Sequence, residues 1–208
     1  MPSPWLGVPL EDYEGHMSAA EVGQLSVLAD LFGDAVRARQ PESVAILGIA
    51  GGNGLNQIDR YVTRRIVGVD IHADYLAAVQ QRYPGDLPGL ELHLADLSQP
   101  DPLPIAPVQL VHAALIFEHA GLAQPLEHAL SLVEPGGAIS VVLQLPSTSE
   151  AGVSATRYTS LQSLKDRFAL IAPDQLKQQL SNRGFHLISE QQRSLPAGKA
   201  FWMGLFLQ

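Results

Sequence analysis

Apolar residues follow two different spacings along the chain, which predict helices and buried strands in turn. In residues 18–39, apolar side chains recur every three or four positions, the period of an amphipathic helix. Pro41 follows, and a proline cannot continue a helix. Short, continuously apolar runs at residues 43–49 and 65–69 are typical of parallel strands covered on both faces. We therefore expect a leading helix followed by a buried sheet.

The same alternation continues to the end of the chain. Further helices are predicted at residues 73–83, 122–133 and 173–182, and further strands at residues 90–94, 108–117, 138–145, 185–192 and 199–207. Strands that alternate with helices in this way are typical of α/β domains. We expect a doubly wound, seven-stranded, mostly parallel sheet with helices on both faces, in one domain that spans residues 1–208.

Composition and charge narrow the choice of partners. The 13 Lys and Arg against 21 Asp and Glu give a net charge of −8, without a dense basic run, so no nucleic-acid partner is expected. No window approaches the roughly 18 apolar residues of a membrane span, and the first residues lack a signal-peptide pattern. The absence of cysteine excludes disulfides. We expect a complete cytoplasmic domain without a membrane partner, and its oligomeric state stays open.

The most informative segment is ILGIAGGNGL at residues 46–55, where the first buried strand should turn into a helix. Glycines there allow positive φ and a close approach of ligand to main chain, and the following helix would aim free N–H groups at that ligand. An ordinary strand-to-helix turn is the alternative.

Asp70 ends the second strand 22 positions after Gly48, near the ~20-residue spacing of a ribose-binding acid. It could instead cap the next helix.

In the order of these motifs, the chain resembles the class I S-adenosylmethionine-dependent methyltransferase family over nearly its whole length. Members have a glycine-rich motif after strand one, acids after strands two and three, an acceptor site after strand four and a PGG turn before strand five. The corresponding segments here are GIAGGNG (48–54), Asp70, Ala95-Asp96-Leu97, VHAALIFEH (111–119) and EPGG (134–137). The resemblance implies a Rossmann-like methyltransferase fold whose last strand is antiparallel.

The resemblance also implies a site for S-adenosylmethionine. Asp70 would contact the ribose, Ile71 the adenine face, and Asp96 with Leu97 the adenine edge. The methionine portion would lie on the loop residues, which are Gly48, Ala50, Gly51, Gly52, Asn53 and Gly54. We expect residues 1–40 to form an N-terminal flap and helix, residues 41–145 the cofactor-binding half, and residues 146–208 the lid and the substrate-side half. The lid is expected at residues 146–158, which are polar and rich in Ser, Thr and Gly.

Two positions depart from the family's acid-x-Gly-x-Gly-x-Gly pattern. Gly48 stands where the acid is usual, and Ala50 replaces the first glycine. Ala50 fits if its φ is negative or its methyl group points away from the ligand. The acid commonly helps to hold the cofactor's amino group, so another group must replace it or binding is weaker.

LGIAGGNGL and an upstream YEGHM segment are similar to bacterial methyltransferase-like proteins, and residues 11–17 could cover the cofactor with Glu11, Tyr13, Glu14 or His16.

Three side chains are candidate catalytic residues. Methyl transfer depends strongly on alignment, and a base is needed only where the acceptor loses a proton. Glu118 and His119 follow the fourth strand, where open α/β sheets bind ligands, and His16 lies in the possible flap. Each residue also has a purely structural interpretation. Glu118 would cap a helix, His119 would lie at the start of that helix, and His16 would be a surface side chain. His112 is expected to be a hydrogen-bonded core histidine, and no residue set has metal-ligand spacing.

The sequence therefore predicts a methyltransferase that uses S-adenosylmethionine and acts on an unidentified small-molecule acceptor. A protein that kept the fold and lost the chemistry is the alternative, because Gly48 replaces the acid. An NAD-dependent oxidoreductase also has a glycine turn and an acid after its second strand. Residues 48–54, however, give no clean G-x-G-x-x-G spacing.

Overall fold

A parallel sheet forms the centre of the protein in the computed structural model, which describes residues 3–85, 87, 89–147, 153–154 and 156–208. Within these residues the chain forms seven strands. They are β1 (Ser43–Leu47), β2 (Arg65–Asp70), β3 (Leu90–Leu94), β4 (Val108–Ala114), β5 (Val133–Gln144), β6 (His186–Ser194) and β7 (Ala200–Leu207). The α-helices of the same described residues are α1 (Leu10–Ser18), α2 (Gln24–Arg39), α3 (Ala73–Arg82), α4 (Phe117–Ala120), α5 (Ala123–Ser131) and α6 (Pro173–Ser181).

The strand order explains where a ligand can bind. The strands lie in the order β3-β2-β1-β4-β5-β7-β6, and β7 runs antiparallel to both of its neighbours, β5 and β6. The predicted fold class is thus confirmed, including the antiparallel last strand. The chain steps from β1 to β2 and β3 on one side and returns to β4 on the other. A crevice is expected outside the carboxyl ends of the strands at such a reversal.

Alternate residues of each strand enter two different cores, because successive side chains of a strand point to opposite faces. In β1, Ala45 and Leu47 pack in one apolar cluster with residues of α5 and α6. Val44 and Ile46 pack in a second cluster with residues of α2 and α3. The helices therefore cover both faces, and β1, β2 and β4 are buried as their apolar runs predict, whereas β6 at the edge of the sheet is largely exposed.

The leading helix predicted at residues 18–39 is wrong in extent. Residues 10–18 already form α1, and α2 begins only at Gln24. Gly23, just before α2, has a φ of 60°, a left-handed conformation that a continuous right-handed helix cannot contain. The break lets α1 turn away from α2, and α1 becomes available to cover another part of the molecule.

The helix expected after the glycine motif is also absent from the described residues between β1 and β2. They form turns and one short 3₁₀ helix, Leu55–Gln57. Gly52 and Gly54 have φ values of 85° and 89°, which do not occur inside a right-handed α-helix. The loop therefore presents no helix N-terminus to a ligand. Its contribution to ligand binding is limited to the backbone near β1.

Several boundaries differ from the predicted ones for local reasons. Strand β4 ends at Ala114 because Leu115 has a left-handed φ of 57°. The PGG segment lies inside β5, whose first residue, Val133, pairs with Val108 across an irregular register. Of the predicted lid, residues 148–152 and 155 lie outside the described residues. The chain after it, Thr159–Arg167, forms a 3₁₀ helix.

Candidate functional site

A cavity of about 260 Å³ lies at the carboxyl ends of β1, β2 and β4. Its floor includes residues from the ends of these strands, and its roof comes from α1 and the Thr159–Arg167 helix. Among the lining residues are these predicted site residues: Tyr13, His16, Gly48, Ala50, Asp70, Ile71, Asp96, Leu97 and His119. The fold thus brings residues that are far apart in sequence to the crevice expected from the strand order.

Asp70 and the backbone of Ala50 meet directly in this cavity. The carboxylate Oδ2 accepts the N–H of Ala50 at 2.9 Å, and Oδ1 accepts the N–H of His72 at 3.0 Å. Burial raises the pKa of Asp70, although these backbone donors oppose the rise. The acid at the end of β2 therefore fixes the loop that follows β1, and both features face the same cavity.

The backbone at two lining positions is strained. Ala50 has a φ of 47° and Leu115 a φ of 57°, values that non-glycine residues rarely adopt. Of the two conditions under which Ala50 would fit, the negative φ is not met, which leaves a methyl group that points away from the ligand. Such conformations persist only where the surroundings impose them, and they concentrate at functional sites. At Ala50 the hydrogen bond to Asp70 is one such restraint.

Within the glycine motif, Gly48 and Ala50 line the cavity, whereas four other predicted loop residues are absent from its lining. Asn53 donates its side-chain N–H to the carbonyl of Leu25 at 2.8 Å. A side chain at Gly52 would collide with Leu55 and Tyr83. Gly51 and Gly54 likewise pack against side chains, those of Glu14, Arg82 and Phe32. These residues shape the loop by close packing against α1, α2 and α3.

The segment after β3 forms a further part of the cavity lining. Asp96 accepts hydrogen bonds from the Ser98 N–H at 2.9 Å and from the Ser98 hydroxyl at 2.7 Å. Burial opposes its ionisation, but the hydrogen bonds from Ser98 and Gln99 and the charge of Arg167 together hold the pKa of Asp96 below its usual value. Next to it, Leu97 is buried and contributes an apolar surface.

The roof is held down by contacts between α1 and the chain after the lid. His16 Nδ1 lies 2.9 Å from the Thr156 hydroxyl, and the Ser160 hydroxyl donates to Asp12 at 2.6 Å. Burial, and then the charge of Lys199, lowers the pKa of His16. Tyr158 covers Gly15 so closely that no side chain would fit there. The predicted flap is thus an ordered helix packed over the cavity.

The two candidates on α4 occupy different environments. Glu118 is absent from the cavity lining; its Oε1 accepts the Gln144 N–H at 2.7 Å, and its buried Oε2 has no partner among the described residues. Burial raises the pKa of Glu118 to about 7. His119 lines the cavity, and burial lowers its pKa to about 4. His112 lies 3.2 Å from the Ser140 hydroxyl and is the core histidine that we expected.

Sequence reasoning missed several lining residues, among them Trp5, Gln24 and Phe168. None of these lies in a motif, and their positions depend on how the roof segments pack. No group of three or more His, Asp or Glu side chains that could hold a metal occurs among the described residues. In the same part of the chain, no helix has the length and apolar character needed to cross a bilayer.

The strand order, the acid after β2 and the cavity between them define a doubly wound protein with a Rossmann-like cofactor cleft. Residues 46–141 match the family model described as a methyltransferase domain. This part of the chain is therefore similar to methyltransferase domains, in agreement with the class I S-adenosylmethionine-dependent family that the motifs predict. A comparison with curated protein sequences finds no match.

Solved structures with the same fold include three methyltransferases. NodS, an N-methyltransferase from Bradyrhizobium japonicum WM9 in complex with S-adenosyl-L-homocysteine, has a TM-score of 0.65 and 11% identity over 89% of this chain and 87% of that one. An S-adenosylmethionine-dependent methyltransferase from Mesorhizobium loti has a TM-score of 0.65 and 16% identity over 84% of this chain and 96% of that one. Magnesium protoporphyrin IX methyltransferase from Synechocystis PCC 6803, with bound S-adenosyl-L-homocysteine, has a TM-score of 0.66 and 14% identity over 90% of this chain and 84% of that one. At these low identities, the likenesses show the shared fold.

Proposed function

We propose that this protein transfers a methyl group from S-adenosylmethionine to a small-molecule acceptor. The observation that carries the proposal is the convergence of the Ala50 amide and the Asp70 carboxylate at the edge of one cavity. A carboxylate has about four acceptor sites, and the described N–H groups use only part of that capacity. Asp70 can therefore accept the two hydroxyls of a ribose as well.

The other lining residues fit the rest of the cofactor. Ile71 and Leu97 offer apolar surface for the two faces of an adenine, and Asp96 offers acceptor oxygens near its edge. Gly48 and Ala50 would contact the methionine portion together with Tyr13 from α1. When bound, the cofactor supplies a methyl group on a positively charged sulfur. A lone pair of the acceptor would bond to that carbon, and the electron pair of the broken carbon–sulfur bond would stay on sulfur.

Alignment supplies much of the acceleration in our proposal. His119 has a pKa of about 4 and is a weak base near neutral pH. Glu118 has a better matched pKa, about 7, but it lies behind the cavity lining. We therefore assign His119 and His16 to contacts with the ligands, and we place Glu118 in support of the β5 backbone through Gln144.

Two observations support a small acceptor. The chain has a net charge of −8, which disfavours binding of a polyanion. The cavity is also roofed by α1 and by the residues after the lid, so a duplex cannot reach its floor without displacing them. Transfer of labelled methyl groups to a metabolite extract, compared with transfer to tRNA and DNA, tests this part. Activity on nucleic acid alone would contradict it.

Calorimetry with S-adenosylhomocysteine tests the cofactor site directly. Asp70→Asn keeps the shape of the side chain and removes its charge, so binding should weaken by about 1.5–3 kcal/mol, the usual value of a hydrogen bond to a charged group. Asp101→Asn, at an exposed position outside the cavity, is the matched control and should bind like the unmodified protein. Equal affinity of Asp70→Asn and Asp101→Asn would exclude Asp70 from the site.

The alternative of a protein that binds the cofactor without catalysis is motivated by Gly48, which stands where the family has an acid. The two functions differ in one result. Methyl transfer to any component of a metabolite extract supports the enzyme, whereas tight binding of S-adenosylmethionine without transfer to any acceptor favours the binding protein.

A further inference from the structure

Three aromatic rings from separate parts of the chain meet at one part of the cavity lining. Trp5, in the 3₁₀ helix Pro4–Gly7, lies 4.9 Å from the ring of His119 at 82°. His119 in turn lies 5.1 Å from the ring of Phe168 at 67°. All three residues line the cavity. We call these three residues the aromatic wall.

The aromatic wall is fixed by packing that does not depend on a ligand. Behind it, Val8, Leu161 and Leu164 are buried in a small apolar cluster, against which Trp5 and Phe168 pack. The N–H of Ala169 donates to the carbonyl of Glu118 at 2.8 Å and ties the chain beside Phe168 to α4. These contacts hold the three rings in place beside an open cavity. In a hydrophobic core, the rings would instead fill the space between them.

This part of the cavity contains little charge. The charged lining residues are Asp70, Asp96 and Arg167, and Arg167 acts electrostatically on Asp96, beside the site assigned to the cofactor. His119 and His16 are neutral near pH 7, because burial lowers the pKa of each. An anion placed against the aromatic wall would lose its hydration without gaining an opposite charge, and the ring faces would offset only part of the same cost for a cation.

One polar group in the aromatic wall lacks a partner. His119 Nδ1 is buried and makes no hydrogen bond within the described residues. Buried polar atoms are nearly always paired, so His119, which lines the cavity, is suited to form a hydrogen bond with a molecule bound there. The imidazole carries one donor and one acceptor when neutral, and both match a hydroxyl or an amino group.

From this geometry we propose that the methyl acceptor is a neutral, planar aromatic molecule with a hydroxyl or amino group, bound against the aromatic wall of Trp5, His119 and Phe168. The proposal rests on the methyltransferase function proposed above and specifies its substrate class. Rings prefer edge-to-face and offset contacts, which the steep angles between these three rings provide for a flat guest. The acceptor atom needs a lone pair to bond to the methyl carbon, and its proton leaves to water.

A matched set of probes tests the substrate class by calorimetry on the protein saturated with S-adenosylhomocysteine. We expect 2-naphthol to bind about tenfold more tightly than decahydro-2-naphthol, which has the same carbon skeleton without the aromatic ring. Naphthalene-2-sulfonate and 2-naphthylmethylammonium, which carry opposite charges, should bind more weakly than 2-naphthol. Tighter binding of the saturated or of either charged probe would overturn the proposal, as would failure of all four to bind.

Variants separate the acceptor from the cofactor. Phe168→Leu and Trp5→Leu keep an apolar side chain and should each weaken 2-naphthol binding about three- to tenfold, with S-adenosylhomocysteine binding changed less than about twofold. Tyr61→Leu, an exposed ring outside the cavity, is the control. If the aromatic wall holds the adenine instead, both variants will lose S-adenosylhomocysteine, and the proposal is wrong. If no cofactor binds at all, the proposed function fails, while the probe preference of the free protein still decides the character of the cavity.

Discussion

Gly48 has a backbone conformation that disfavours the acid found at this position in the family. Its φ is 72°, and a Cβ atom there would collide with the end of the Ile116 side chain. Left-handed backbone costs an ordinary residue about 1–2 kcal/mol. The departure from the family pattern is therefore a consequence of local structure, and restoring the acid alone would not restore the family's geometry.

The collision and the backbone strain can be measured separately. Gly48→Ala and Gly136→Ala both place a side chain at positive φ, but only Gly48 has a neighbour within contact distance. We expect each variant to lower the free energy of unfolding by about 1–2 kcal/mol. Gly48→Ala should also weaken S-adenosylhomocysteine binding, because Ile116 lines the cavity and must move into it. Unchanged affinity in Gly48→Ala would show that Ile116 yields in another direction.

Glu118 makes stability depend on pH. Burial raises the pKa of its carboxyl from 4.5 to about 7, so the folded protein binds an extra proton between these values. Stability from this group is therefore lost as pH rises through that window. Glu118→Gln cannot ionise, and between about pH 5 and about pH 8 it should gain up to about 3 kcal/mol relative to the unmodified protein.

Urea unfolding of both proteins at the two pH values measures this difference. The buried histidines His112 and His119 change stability in the opposite direction, since a lowered pKa makes stability rise with pH. They are present in both proteins, and their effect cancels in the comparison. A difference that does not vary with pH would mean that Glu118 ionises in the folded protein as it does in water.

Helix α1 is the element on which the roof of the cavity depends. Arg82 of α3 forms an ion pair with Glu14 of α1 and donates to the Gly51 carbonyl at 2.9 Å. It thus joins the roof, the glycine loop and α3. Tyr13, His16 and Met17 of α1 line the cavity.

Breaking this ion pair should affect binding more than stability. Glu14→Gln removes a partly exposed pair, and such pairs contribute about 0–1 kcal/mol. We expect a small change in unfolding free energy, faster hydrogen exchange of α1 amides and weaker S-adenosylhomocysteine binding. Glu127→Gln, which breaks the partly exposed pair with Arg183 away from the cavity, should change neither exchange of α1 nor binding. Identical exchange in both variants would contradict the role of α1.

The sequence predicts the strands well and the segments around the cavity less well. Continuous apolar runs mark β1, β2 and β4 because these strands are buried on both faces. The residues after β1 were predicted as a helix, since glycine spacing does not reveal which φ each glycine adopts. Trp5 and Phe168 were missed because only the packing of distant segments brings them to the cavity. Asp70 was found because a fixed motif spacing places it at the end of β2.

The whole molecule combines a rigid sheet with a cover made from the two outer parts of the chain. The sheet order places the ends of β1, β2 and β4 side by side, and α1 and the Thr159–Arg167 helix close the space above them. The roof contacts combine hydrogen bonds, such as His16 with Thr156 and Asp12 with Ser160, with the apolar cluster of Val8, Leu161 and Leu164.

A crystal structure of the protein with S-adenosylhomocysteine is the most direct test that the cavity is a cofactor site. We predict that both ribose hydroxyls lie within about 3.2 Å of the Asp70 carboxylate oxygens, with the adenine between Ile71 and Leu97. The sulfur should face the open space beside Trp5 and His119. A ligand bound elsewhere on the protein, or a ribose without contact to Asp70, would contradict the proposed site.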